Sequence, residues 1–151
     1  MAALRKICLV GASDATDHDH LVRVLGQAFR YSQICSFSTE SEFREQLPAI
    51  VGQVDLAVMA VAFKYADHFD REKMPQEVNE QGYLKAGFRC RGLMRELAPQ
   101  VPVVLYTWRH VTEDFCREDI GQLGPKSLLM QMHEVPVSSR QIREFYERTQ
   151  R

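Results

Sequence analysis

The sequence predicts a single α/β domain: a doubly wound, five-stranded parallel sheet in a three-layer sandwich. Three observations lead there. Five short apolar runs alternate with segments whose apolar residues recur at helical spacing. The third run, residues 54–63, is apolar on both faces, as the centre of a parallel sheet requires. The connections are short, so right-handed crossovers place helices on both sides and give the strand order 2-1-3-4-5.

Bulk properties agree with one core. The chain has 151 residues, 45% hydrophobic and 26% charged, which suits one domain over residues 1–151 and excludes a fibrous or disordered chain. A net charge of −1 supplies no global field to draw nucleic acid or an acidic membrane surface, so neither is expected as a partner. No apolar run reaches the roughly 18 residues of a membrane span. The start runs directly into a strand-like segment with no separate apolar region and cleavage site, so a cytoplasmic location is expected. Cys8, Cys35, Cys90 and Cys116 form no Cys-x-x-Cys pair and read as reduced, mostly buried thiols rather than zinc ligands.

The elements follow in order. Lys6-Ile-Cys-Leu-Val10 is the first strand, ending in the loop Gly11-Ala-Ser-Asp14. Leu21, Val24, Leu25, Ala28 and Phe29 then recur at helical spacing, with Thr16 or Asp17 as the expected cap. Residues 33–37 form a second strand. Thr39-x-x-Glu42 is a capping-box pattern opening a second helix, which Pro48 is expected to shorten or kink. After the third strand, residues 64–81 are polar and break the rhythm, reading as an inserted loop with room for a turn of helix. A helix over 83–97, with Leu93 and Leu97 on one side, leads to a fourth strand over 101–106. A short helix over 112–122 and a weaker strand over 127–132 follow. Ser138-x-x-Gln141 is a second capping-box pattern, and Ile142, Phe145 and Tyr146 give the last helix its inner face.

Such a topology is flavodoxin-like in the broad sense, and one segment narrows it. Gly92-Leu-Met-Arg-Glu-Leu-Ala-Pro-Gln-Val-Pro-Val-Val-Leu-Tyr-Thr107 resembles the receiver domain of response regulators: a glycine-started helix, a proline-containing turn, then an apolar strand ending in Thr. Val54-Asp-Leu-Ala-Val-Met59 resembles the receiver's third strand. The stretch from Gly124 through Val135-Pro-Val-Ser138 resembles the segment that ends in Lys-Pro before the last helix. The resemblance implies a phosphorylation site: an acidic pair holding magnesium, an acceptor Asp, a hydroxyl and a lysine, which together neutralise charge building on the phosphoryl oxygens. Carried over by position, the acidic pair falls on Gly11 and Ala12, the acceptor on Ala60, the hydroxyl on Thr107, the lysine on Val135 and the aromatic switch on Met132. Only Thr107 matches. The resemblance therefore implies a pseudo-receiver, a two-component signalling domain that acts through a protein partner or as a homodimer, without conventional aspartate phosphorylation, enzymatic activity or a cofactor.

Other residues carry competing readings. Asp14, Asp17, His18, Asp19 and His20 crowd one loop; Asp67, His68 and Asp70 crowd another; His110, His133 and Glu134 follow the last two strands. All belong at the carboxyl edge of the sheet, where such folds bind ligands. They read either as solvated loops or as a ligand site, with Asp14, Asp17 and Asp67 as candidates for a displaced acid. Asp17-His-Asp-His20 also resembles the Asp-x-His-x-x-Gly motif of cobalamin-binding domains, but His18 and Arg23 stand where its Asp and Gly belong. Lys85, Arg89, Arg91 and Arg95 make one helix basic, either as a solvated face or as an anion contact. Trp108 reads equally as a half-buried neighbour of the site or an exposed anchor. No Gly-x-Ser-x-Gly, P-loop or Gly-x-Gly-x-x-Gly motif is present. Residues 112–151, with Met132 and Tyr146 foremost, are the expected partner surface, or else those two side chains fill the core.

Overall fold

The computed structural model describes residues 7–30, 33–68, 71–109 and 117–151. Five strands, β1 (Ile7–Gly11), β2 (Gln33–Phe37), β3 (Val54–Ala60), β4 (Val103–Thr107) and β5 (Ser127–Gln131), form one parallel sheet in the order β2-β1-β3-β4-β5, as expected. Among the described residues, six helices accompany them: α1 (Ala15–Ala28), α2 (Glu40–Ile50), α3 (Gln76–Gln81), α4 (Ala86–Leu97), α5 (Arg117–Gly121) and α6 (Val135–Thr149). Helix α1 packs on α6, and α2 packs on α4. Strand β3 lies between these layers, and every side chain from Leu56 to Ala60 is buried. No helix among the described residues is long and apolar enough to cross a membrane.

Several boundaries differ from expectation, each for a local reason. The cap of α1 is Asp14, not Thr16 or Asp17: its extended backbone lets Oδ1 accept from the Asp17 amide at 2.8 Å. This leaves the Asp17 side chain free to turn inward. Thr39 does cap α2, its hydroxyl accepting from the Glu42 amide at 3.1 Å. Pro48 sits within the last turn of α2, which passes into a 3₁₀ turn at Val51–Gln53. Strand β3 stops at Ala60 because α4 closes on its end, and a Cβ added at Gly87 would lie 2.3 Å from the Ala60 carbonyl oxygen. The inner stripe of α4 is Gly87, Cys90, Arg91 and Met94, so Leu97 is exposed and Leu93 only partly buried. Residues 83–85 form a 3₁₀ turn, not the first turn of that helix. The expected helix over 112–122 is described only from Arg117.

The last helix begins at Val135, three residues before the expected Ser138 cap. Pro136 is preset for a first helical turn, and Ser138 is buried inside it, its hydroxyl accepting from the His133 amide at 2.8 Å. Met132 and Tyr146, expected at a partner surface, are 2% and 9% exposed. Phe145 and Tyr146 are both buried because adjacent helical positions point about 100° apart. That divergence suffices inside a layer where α6 lies against α1, and the Tyr146 ring meets Phe29 edge to face at 5.2 Å.

The insertion is more structured than a loop. It opens by accepting from the free amides of α2: Glu40 N–H to the Lys64 carbonyl at 3.0 Å and Ser41 N–H to Tyr65 at 2.7 Å. It carries α3, whose Val78 is buried. Glu40, fully buried, holds it to the body. Arg89 from α4 donates through Nη2 at 2.6 Å and Nε at 3.0 Å, and Arg44 donates at 2.8 Å while reaching Glu77 on α3 at 2.8 Å. Removing Glu40 would strand Arg89 in the interior, a loss of about 3–5 kcal/mol. Urea unfolding of Glu40→Ala is expected to show a loss of this size, and Glu40→Leu with Arg89→Met to recover most of it.

Candidate functional site

The carboxyl ends of β1, β3 and β4 enclose a small cavity of about 190 Å³, lined by Ser13, Asp17, Ala60, Tyr106, Thr107, Trp108 and Arg109 among others. Its centre is Asp17. The first turn of α1 aims this side chain back over the sheet, where it is 8% exposed. Its Oδ2 accepts from the Ser13 hydroxyl at 2.5 Å and the Tyr106 phenol at 3.1 Å, and its Oδ1 accepts from the Trp108 indole at 2.7 Å. A carboxylate offers about four lone-pair sites, so three donors leave little capacity for a metal or an attacking role. Burial first, and then the Asp17 charge, pushes the Tyr106 phenol far above its ordinary value.

The positions that the receiver resemblance marks are distributed unevenly. Ala60 and Thr107 line the cavity, and Thr107 accepts from the Arg109 amide at 3.2 Å. Gly11 has no room for a carboxylate: a Cβ there would lie 2.3 Å from the Phe37 ring, its registered partner on β2. Phe37 packs against Phe43 at 4.9 Å and Phe63 at 5.7 Å, so an aromatic cluster stands beside the place of the acidic pair. Ala12 is buried and supplies no ligand. Val135 opens α6 and packs against the core, outside the lining of this cavity. These residues do not fit the magnesium that receivers hold. Arg109 is the one cation of the described lining.

The proposed acidic and histidine cluster does not assemble. Asp14 is committed as a helix cap, and Asp67 is exposed and paired with Lys64, which holds its carboxyl below the usual range. His18 bonds to the Ser36 hydroxyl at 2.7 Å, while His20 donates from Nε2 to the His133 carbonyl at 2.9 Å and stands edge-on to Trp108 at 4.9 Å. No group of three His, Cys, Asp or Glu side chains among the described residues could hold a metal ion. Asp70 and His110 lie outside the described residues. The basic helix is not an open patch either, since Arg89 is paired with Glu40 and Lys85 with Asp119. Sequence reasoning missed Ser13 and Tyr106 as the partners of Asp17. The available signal was a tyrosine in an otherwise apolar strand, because a buried phenol needs an acceptor.

No protein-family model matches this chain, and no curated protein sequence matches it. Solved structures do match in fold. A response regulator receiver domain protein of Clostridium thermocellum superposes with a TM-score of 0.64 at 14% identity, over 96% of this chain and 97% of that one. A CheY-like receiver domain protein of Methanospirillum hungatei gives 0.59 at 15%, over 96% of each. A pilus assembly-related protein of Burkholderia pseudomallei gives 0.61 at 15%, over 97% and 94%. The five-stranded parallel sheet and its flanking helices thus form the receiver fold, and at these identities the likeness is one of fold.

The raised Tyr106 phenol sets an alkaline limit on stability. A group held protonated in the folded state stabilises below its unfolded pKa, and that contribution is lost as pH rises above it. The unfolding midpoint is therefore expected to fall as pH rises above about 10, the ordinary phenol value, and Tyr106→Phe to flatten that fall while lowering the midpoint at neutral pH.

Proposed function

We propose that this domain is a pseudo-receiver: a signalling module that works by binding a protein partner or a second copy of itself, without an aspartyl phosphate. One observation supports this most. The acceptor position is Ala60, a methyl group, and the carboxylate beside it, Asp17, has both oxygens engaged by Ser13, Tyr106 and Trp108. Phosphoryl transfer needs a free nucleophile and a cation to neutralise the developing charge. Ala60 supplies no nucleophile, and Gly11 and Ala12 supply no metal ligands. Receiver folds also serve as interaction modules through their surfaces, which this chemistry leaves intact.

A second reading rests on the same cavity. Asp17 is the carboxylate of the described lining and shares it with Thr107 and Arg109, so a displaced acceptor would be Asp17, not Asp14 or Asp67. Intact-mass measurement after incubation with acetyl phosphate and magnesium separates the two. The expected outcome is no added phosphoryl group on the wild type. An adduct that disappears in Asp17→Asn would establish the displaced acceptor and remove the pseudo-receiver reading.

A further inference from the structure

Arg91 is a cation on the inner stripe of α4, 7% exposed. Nearby cations show how the fold treats such a charge: Arg89 on the same helix is met by Glu40, and Lys85 in the preceding 3₁₀ turn by Asp119. Among the described residues, no ion pair or side-chain hydrogen bond meets Arg91. Its Nε is buried and makes no hydrogen bond among the described residues. A buried donor left unmade carries a free-energy cost, and a buried charge left unpaired carries a larger one.

Arg91 lines a cavity of about 320 Å³ whose walls include Val101, Val103 and Leu123. Arg95 and Lys126 line it too. Arg95 gives one hydrogen bond to the Gln122 carbonyl at 3.3 Å, and Lys126 one to the Gln100 carbonyl at 3.1 Å. A guanidinium has five N–H donors and an ammonium three, so most of this donor capacity is unused by those contacts. Burial first, then the neighbouring Arg95 charge, lowers the Arg91 pKa, and the acid that opposes this, Asp119, is already held by Lys85. The cavity lies at the amino ends of β4 and β5, beside Val103 and Ser127, at the opposite edge of the sheet from Asp17.

We propose that this cavity is an anion site for a phosphate monoester carried on a small apolar body. Three cations lining one cavity suit a dianion better than a single carboxylate, and the Arg fork matches phosphate oxygens. The apolar walls and a volume near the lower end of the range for small-molecule sites, about 300 Å³, leave room for an organic group behind the phosphate. Ligand binding here does not depend on the pseudo-receiver reading, because no residue is shared with the Asp17 cavity.

Isothermal titration of the full chain with phenyl phosphate and with inorganic phosphate, at matched ionic strength, tests it. Phenyl phosphate is expected to bind saturably, about tenfold or more tightly than inorganic phosphate. The Arg95→Glu, Lys126→Glu variant is expected to weaken it by about tenfold or more with little change in the ligand-free unfolding midpoint. Arg91→Met is expected to abolish binding and to raise that midpoint, because it removes a buried Nε with no partner among the described residues. If Arg91→Met does not fold, the Arg95 and Lys126 variant decides alone. Absence of saturable binding, equal affinity for both probes, or unchanged affinity in the Arg95 and Lys126 variant overturns the proposal. So does an Arg91→Met protein that is less stable yet binds as before.

Discussion

Asp17 brings a carboxylate from the first turn of a helix into the end of a parallel sheet, where water is nearly excluded. A polar group in such a place must find partners within the protein. It finds three, from three parts of the chain: Ser13 in the loop after β1, Tyr106 in β4 and Trp108 just beyond it. The same contact therefore sets the entry of α1, gives the buried Tyr106 phenol its acceptor and holds the indole over the edge of the sheet. In a receiver-like scaffold this is the edge where chemistry would occur. Here the Asp17 carboxylate accepts from three donors of the protein itself.

The surrounding packing reinforces that arrangement. Phe37 occupies the space a side chain at Gly11 would need, and its stack with Phe43 and Phe63 replaces a polar, metal-holding corner with an apolar one. Gly87 lets α4 sit against the end of β3, where Ala60 and Ala62 line the cavity. The insertion is fastened separately. Its opening carbonyls cap α2, and Glu40 and Glu77 with Arg44 and Arg89 link α2, α3 and α4. Two buried carboxylates thus organise the two helical layers: Asp17 on the side of α1 and α6, and Glu40 on the side of α2 and α4.

The fold was legible because hydrophobic periodicity reports burial, and a strand buried on both faces, such as β3, announces a parallel sheet. What sequence patterns reported poorly were choices between chemically equal neighbours. Thr16 and Asp17 read as caps of α1 and Asp14 does not; the extended backbone at Asp14 makes it the cap, and Asp17 turns inward. Ser138 reads as a cap until Pro136 starts the helix earlier. Tyr146 and Met132 read equally as partner surface or core, and burial decides: both lie in the core cluster, with Tyr146 against Phe29. Position-by-position comparison with receivers located Ala60 and Thr107 at the cavity, but not Ser13, Tyr106 or Arg109. Those residues come together only through the parallel register, across some ninety positions of sequence.

The central claim is that the Asp17 carboxylate is a structural node and not a metal-holding or phosphoryl-accepting group. Trp108 is the single tryptophan and donates directly to Asp17, so its fluorescence reports this contact without a label. A magnesium titration followed at the tryptophan emission is the most direct measurement. The account predicts no saturable change up to millimolar magnesium, alongside a clear change in emission on Asp17→Asn. A saturable magnesium response in the wild type that Asp17→Asn removes would contradict it.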